Sequence, residues 1–300
     1  MLQTRFHGRG GQGMKTASRV VGTAAALDGC TAQDALVYGA ERRGAPMTAY
    51  ARIATGPILE RGLVSTPDLL VVADDTLLDD PGAAPLAGVQ PEAPLLLNTP
   101  HSSAEVRARY GRTGPVEAHD FTALALDWAG SAAGVSAALA AAACRMLGLS
   151  RSSTMLALAQ ELADLDLPEA LIEANLKLAD LAYACVRPIG LRPAPCVPSA
   201  PLVVDVAYDP PELGTASVMG PANTPLRRTG SWRIFRPMVD FERCTRCWIC
   251  FLRCPEGAIS LDAEDRPIID YEVCKGCLIC VEECPIHVIT HEREVRPWSA

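Results

Sequence analysis

The first 186 residues alternate short apolar runs with longer helical stretches, a pattern typical of a sheet covered by helices. The clearest candidate strand, Asp68–Ala73, lies in a nearly continuous apolar run bounded by proline and acidic residues, Pro67–Asp74, as expected of a strand buried on both faces. The further candidate strands are Gln3–His7, Ala49–Ala54 and Pro94–Asn98, and the candidate helices are Met14–Leu27, Ser131–Leu147, Ser152–Ala163 and Pro168–Cys185. We therefore expect an α/β domain with a mostly parallel sheet over residues 1–186.

Residues 187–229 contain many prolines and little periodicity, which predicts a linker. Because proline stiffens the chain, we expect an extended strap along a protein surface and not a flexible tether. One apolar island, Leu202–Val206, is β-branched enough to add a short edge strand.

Residues 230–300 contain an internal repeat with an offset of 30 residues, which begins Asp240-Phe241-Glu242-Arg243-Cys244 and recurs as Asp270-Tyr271-Glu272-Val273-Cys274. The repeat predicts a small α+β domain built from two similar halves around a pseudo-twofold axis.

Each half carries the spacing C-x2-C-x2-C-x3-C-P, the bacterial ferredoxin pattern for two [4Fe-4S] clusters. In that pattern the fourth cysteine of each run ligates the other cluster. The predicted ligands are Cys244, Cys247, Cys250 and Cys284 for the first cluster, and Cys274, Cys277, Cys280 and Cys254 for the second. The alternative is a pair of zinc sites, which typically use two separated C-x2-C pairs and need no third cysteine in the run. The other cysteines, Cys30, Cys144, Cys185 and Cys196, lack ligand spacing and are predicted to be buried, inert thiols.

A glycine loop, Gly8-Arg9-Gly10-Gly11-Gln12-Gly13, stands between the first strand and the first helix and matches G-x-G-x-x-G. An NAD site would also need a second strand that ends in Asp or Glu, and the segment Cys30–Tyr38 offers no such strand. A P-loop would need Lys15 one position earlier. Two interpretations stay open: close packing against another subunit, or contact with a phosphate-bearing ligand.

Composition excludes several classes of function. The formal net charge is -8 and no basic stripe is present, so a nucleic-acid partner is not expected. The longest weakly apolar run, Ala129–Cys144, is shorter than a membrane span, and the N-terminus has no signal-peptide pattern. Cysteines concentrated at ligand spacing indicate a reducing cytoplasm.

The glycine loop, the stretch Glu41–Thr48 and the double cysteine run together resemble the 2-oxoacid:ferredoxin oxidoreductases. Residues 1–186 are similar to the gamma subunit of that family, which implies a Rossmann-like domain. Residues from Thr229 onward are similar to the delta subunit, so the chain resembles a gamma-delta fusion, an arrangement similar to that of oxalate oxidoreductase.

The resemblance implies partner alpha and beta subunits that bind thiamine diphosphate and Mg²⁺ and decarboxylate a 2-oxoacid such as pyruvate, with coenzyme A as the usual acyl acceptor. This chain would carry electrons to ferredoxin or flavodoxin. It has no Gly-Asp-Gly motif of a thiamine-diphosphate site, so the carbon chemistry is expected on partner chains. The alternative functions are a stand-alone ferredoxin-like carrier with a docking domain and an NAD-linked iron-sulfur oxidoreductase.

Six arginines precede or surround the first ligands: Arg227, Arg228, Arg233, Arg236, Arg243 and Arg246. One hypothesis is that they form a positive docking face for an acidic acceptor. The alternative is ordinary solvation of a charged surface.

Overall fold

The computed structural model describes residues 1–37, 44–196 and 228–295. The chain divides into two compact units, residues 1–199 and 200–300. The candidate strand Leu202–Val206 and most of the predicted linker lie outside the described residues, so those predictions stay predictions. Residues Glu41–Arg43 of the stretch Glu41–Thr48 also lie outside them.

The first unit contains six strands and six α-helices in its described part. The strands are β1 Leu2–Arg9, β2 Thr31–Val37, β3 Pro46–Ala54, β4 Leu69–Val72, β5 Leu95–Asn98 and β6 Val116–His119. The helices are α1 Met14–Leu27, α2 Ser103–Tyr110, α3 Phe121–Ala129, α4 Val135–Met146, α5 Arg151–Ala163 and α6 Glu169–Cys185.

The six strands form one sheet in the order β2-β3-β1-β4-β5-β6. Strands β1, β4, β5 and β6 pair in parallel, and only β3 runs opposite to its neighbours. The mostly parallel α/β fold is therefore confirmed. Strands β2 and β6 were not predicted. Strand β2 is a partly exposed edge without a continuous apolar run, and β6, Val116-Glu117-Ala118-His119, has polar residues at two of its four positions.

One face of the sheet packs on an alanine-rich helical core. Phe6 of β1 and Val71 of β4 are fully buried there, together with most of α4. Small side chains let α4 approach its neighbours closely, and this explains how a chain with 5% aromatic residues fills its interior.

The opposite face, over β1 and β3, is covered by irregular chain held by buried arginines. The Arg5 guanidinium donates hydrogen bonds to the carbonyl oxygens of Val64, Ser65, Pro85 and Ala87. Arg52 donates in the same way to Gly62 O and to Gln33 Oε1. Carbonyl groups in irregular chain have no hydrogen-bond partners from a helix or sheet, and the arginine N–H groups provide them.

Residues 228–295, the described part of the second unit, contain two antiparallel strand pairs and two short α-helices. Strand β7 (Phe235–Val239) pairs with β10 (Ile289–Arg293), and β8 (Ile259–Leu261) pairs with β9 (Pro267–Ile269). The short helices are Ile249–Arg253 and Ile279–Glu282.

Equivalent hydrogen bonds recur in the two halves of this unit. Asp240 N donates to Val288 O at 2.9 Å, and Asp270 N donates to Ala258 O at 2.8 Å, each pair shifted by the repeat. Each strand pair joins one half of the repeat to the other. Among the described residues of both units, no helix combines the length and hydropathy needed to cross a bilayer.

Candidate iron-sulfur sites

Two cavities in the second unit are each lined by four cysteines. The first is lined by Cys244, Cys247 and Cys250 of one run and by Cys284 of the other. The second has the complementary lining of Cys274, Cys277, Cys280 and Cys254. The structure thus brings together the two sets that the spacing predicted.

Left-handed backbone shapes both cysteine loops. Trp248 and Leu278 each have φ 61° and directly precede the short helices Ile249–Arg253 and Ile279–Glu282. A left-handed non-glycine residue carries a conformational cost, so its recurrence at equivalent positions indicates a geometry that the loop requires. The turn places the third cysteine of each run, Cys250 or Cys280, on the first helical turn, where it is buried.

Backbone N–H groups point at several of the sulfurs. Arg246 N lies 3.4 Å from Cys244 Sγ, and Ala258 N lies 3.3 Å from Cys254 Sγ. Burial raises the thiol pKa of Cys284, but hydrogen bonds from the following backbone outweigh it and lower that pKa. Donors of this kind favour thiolate over thiol.

The rest of each cavity is mainly apolar, and the buried thiols there resist ionisation. Burial, followed by the neighbouring thiols, raises the pKa of Cys280 to about 12. Binding of iron therefore has to displace protons from such thiols. Four convergent cysteines, apolar walls and N–H donors to sulfur fit the ligand set of a [4Fe-4S] cluster at each site.

The two loops differ in how far they are covered. Residues 245–248 are exposed, whereas the equivalent residues 275–278 are only partly exposed. The segment before β7 covers the second loop, since Arg233 donates to Cys274 O at 2.7 Å. A Cβ at Gly276 would lie 2.6 Å from Phe235 O, so this close approach requires glycine. The first cysteine loop is therefore the more accessible one.

The predicted arginine face is smaller than the sequence suggested. Arg233 is buried and ion-paired with Glu294 at 2.6 Å, while Arg236 lies over the Tyr271 ring at 3.9 Å. Arg228 lies 3.7 Å from Glu272 on the surface, and Arg227 is outside the described residues. Arg243 and Arg246 are the members that remain exposed beside the first cysteine loop. The prediction of one six-arginine face is wrong because Arg233 serves internal hydrogen bonding.

The glycine loop of the first unit is engaged in contacts within its own chain. Arg9 is buried, with Nε 2.9 Å from Asp74 Oδ2, and its backbone N–H donates to Gln12 Oε1. Gly10 exchanges backbone hydrogen bonds with Gly44 and Ala45, while Gly11 is exposed. Gly8 is buried next to the end of β1, and Gly13 precedes α1 with φ 68°. Contact with a subunit or a phosphate stays a prediction for this loop.

The surroundings of this loop differ from a dinucleotide site. Strand β2 pairs with β3 and is separated from β1 by it, and its last residues, Leu36 and Val37, carry no acid. The strand that follows α1 therefore places no acidic residue at its end beside the loop, unlike the corresponding strand of a nicotinamide-dinucleotide site.

The cysteines outside the runs only partly match their prediction. Cys144 is buried, and burial raises its pKa to about 12. Cys30 and Cys196 are partly exposed, and Cys185 is exposed at the end of α6. The prediction of burial is wrong for these three because they lie at or beyond the ends of elements, where packing is incomplete.

Sequence reasoning missed the ion pair between Lys275 and Glu256, which borders the second cavity. Alignment of the two repeats would have marked these positions as different, because the equivalent positions hold the uncharged Thr245 and Ile286.

Comparison with known families matches both units. A family profile described as pyruvate ferredoxin/flavodoxin oxidoreductase matches residues 3–185. A second profile, described as a 4Fe-4S dicluster domain, matches residues 236–285.

The similar proteins include subunits named gamma. The pyruvate/ketoisovalerate oxidoreductases common subunit gamma of Thermococcus kodakarensis is 36% identical over 184 residues, which is 61% of this chain and 96% of that protein. The subunit of the same name from Pyrococcus furiosus is 43% identical over 106 residues, 35% of this chain and 56% of its own length, so the chain spans little more than half of that relative. The crystal structure of pyruvate oxidoreductase subunit PORC from Thermotoga maritima has a TM-score of 0.51 and 32% identity, covering 62% of this chain and 97% of that one.

Proposed function

The chain belongs to the pyruvate ferredoxin/flavodoxin oxidoreductase family, and from this premise we propose that it is the electron-transfer subunit of a 2-oxoacid:ferredoxin oxidoreductase. It would combine a gamma-type domain (1–186), a linker (187–229) and a delta-type domain (230–300). The observation that carries the proposal is the pair of four-cysteine cavities in the same chain as a gamma-type unit.

The eight cysteines are the proposed ligands of two [4Fe-4S] clusters. Cys244, Cys247, Cys250 and Cys284 would hold the first, and Cys274, Cys277, Cys280 and Cys254 the second. Clusters of this type accept and release one electron at a time. The surrounding apolar side chains and the backbone N–H groups that donate to sulfur are means by which a protein adjusts cluster potential. Thiolates kept for iron suit a reducing cytoplasm.

The carbon chemistry is assigned to partner subunits. Alpha and beta chains would bind thiamine diphosphate and Mg²⁺, decarboxylate a 2-oxoacid and transfer the acyl group to coenzyme A. The names of the relatives, which specify pyruvate and ketoisovalerate, support a 2-oxoacid as the substrate class. The lack of a Gly-Asp-Gly motif in this sequence agrees with that division of labour.

The proposed acceptor is an acidic ferredoxin or flavodoxin that docks at the first cysteine loop. This loop is exposed, and Arg243 and Arg246 lie on it or beside it. Arg246 has φ 58°, whereas its repeat equivalent is Gly276, so an arginine occupies a position that glycine would fill without strain. A cation retained at such a position is consistent with recognition of an acidic partner.

Purification of the tagged full-length chain from its own cells tests the proposal. We expect stoichiometric alpha and beta chains, bound thiamine diphosphate, and acceptor reduction that depends on a 2-oxoacid. A panel of 2-oxoacids with and without coenzyme A would identify the substrate. Isolation of the chain alone would favour the stand-alone carrier, and reduction of its iron centres by NADH alone would favour the NAD-linked alternative.

A further inference from the structure

The internal repeat gives almost every residue around the second cavity an equivalent around the first. Residue 275 corresponds to 245, and residue 286 corresponds to 256. Lys275 and Glu256 border the second cavity, whereas Thr245 and Ile286 border the first. The two cavities share their cysteine arrangement and differ in the charges beside it.

The two charges form a largely buried ion pair. Lys275 Nζ lies 2.5 Å from Glu256 Oε1, and the side chains are only 13% and 15% exposed. Water screens charges poorly at such a site, so each one acts more strongly on its surroundings than it would on the surface. Removal of either partner would leave the other buried and uncompensated.

The pair also joins two separate ligand segments. Lys275 directly follows Cys274 in the second run, and Glu256 lies two residues after Cys254 in the first run. Both cysteines line the second cavity. At the first cavity the equivalent Thr245 is exposed and Ile286 is 37% exposed, and neither carries a charge.

We propose that Lys275 and Glu256 are positioning residues that hold the two ligand segments of the second cluster together and set its reduction potential apart from that of the first. The inference rests on the two-cluster part of the proposed function. A nearby cation stabilises the reduced, more negative state of a cluster, and a nearby carboxylate destabilises it, because net charge and solvent exposure govern these potentials.

Redox titration of the purified complex, followed by EPR, tests the pair with Lys275→Met and Glu256→Gln. Lys275→Met should shift the second-cluster potential to a more negative value, and Glu256→Gln should shift it to a more positive value. The first-cluster potential should stay unchanged in both. A pair with only a structural role would not produce shifts of opposite sign.

Two further variants sharpen the comparison. Arg228→Met removes a cation from an ion pair whose Arg228 side chain is 81% exposed, and it should leave both potentials unchanged because water screens that charge. The double substitution Thr245→Lys with Ile286→Glu introduces the pair at the first cavity. It should move the first-cluster potential toward that of the second.

The outcomes separate this inference from the proposed function. Iron analysis that finds far fewer than about eight iron atoms per chain in the unaltered complex contradicts the two-cluster function itself. With both clusters present, shifts of equal sign or no shift in the two variants overturn the inference alone. A lower content of the second cluster in Lys275→Met, with full content in Lys275→Arg, supports the holding role. Loss of the first cluster instead overturns it.

Discussion

Cys254 belongs to the first cysteine run but lines the cavity of the second. We predict that Cys254→Ala damages the cluster held by Cys274, Cys277 and Cys280, because that cluster loses one of its four thiolates. EPR of the reduced protein should show loss or alteration of one signal. Cys185→Ala, which removes an exposed thiol at the end of α6, is the matched control and should leave both signals intact. Damage confined to the cluster of Cys244, Cys247 and Cys250 would reverse the ligand assignment.

His7 makes the first unit sensitive to acid. Burial, assisted by the nearby Arg5 charge, lowers the pKa of His7 from 6.5 to about 3. In the unfolded chain His7 is protonated below about pH 6.5, whereas in the folded chain it is protonated only below about pH 3. The free energy of unfolding therefore falls as the pH falls from 6.5 to 3. Each unit of pKa difference corresponds to about 1.4 kcal/mol, so the free energy of unfolding falls by roughly several kcal/mol over this pH range.

Urea unfolding of the wild type and His7→Asn between pH 7 and pH 4 measures this dependence. The variant should be less stable at pH 7 and lose less stability on acidification. Equal slopes in the two proteins would contradict the prediction. His291→Asn, at an exposed position of β10, is the control and should retain the wild-type slope.

Residue identity alone predicted the cysteine sets but not the buried arginines. Cysteine spacing has a nearly unique chemical meaning, since the fourth cysteine is separated from the other three in a recognisable way. Arg5 and Arg52 were unpredictable because their partners are mostly loop carbonyls, and every residue type carries a carbonyl. A charged residue in a strand usually indicates exposure, and only the tertiary fold shows that these two are enclosed.

At the scale of elements, the junction between the glycine loop and α1 depends on Gly13. Its φ is 68°, and a Cβ there would lie 2.6 Å from the Ser136 Cβ of α4. Gly13→Ala should therefore cost more than the roughly 1 kcal/mol typical of a left-handed alanine, because α4 must also move. Gly111→Ala is the control, since Gly111 has φ 59° and open space around it. Thermal unfolding should show the larger loss for Gly13, and equal losses would exclude a role for the α4 contact.

The elements that were predicted are those with strong periodicity or complete burial. Strands β4 and β5 are buried along their whole length and read as apolar runs in the sequence. Strand β2 was missed because it is an edge strand with exposed residues, so it can contain polar residues such as Gln33 and Asp34 and does not form an apolar run. Its pairing depends on β3, a contact that local sequence does not specify.

For the whole molecule, the exposed first cysteine loop implies a rate that depends on salt. Arg243 and Arg246 are the exposed cations beside it, and an acidic acceptor approaching them would be steered by their charge. Because the Debye length is about 10 Å at 0.1 M salt, this attraction acts mainly at low ionic strength. Arg243→Glu with Arg246→Glu should lower the rate of ferredoxin reduction at low salt by about tenfold or more.

The difference in ferredoxin reduction rate between the variant and the wild type should decrease as the salt concentration rises, because salt screens the charges that attract the acceptor. Arg61→Glu with Lys177→Glu makes the same change in net charge at exposed positions of the first unit and should leave the salt dependence unchanged. Stopped-flow rates over a range of ionic strength, with complexes of verified subunit content, measure the effect. If the Arg243 and Arg246 variant keeps the wild-type salt dependence, the acceptor does not dock at this loop. Electrons would then leave through another part of the surface, but the proposed ligands of the two clusters would not be affected by this result.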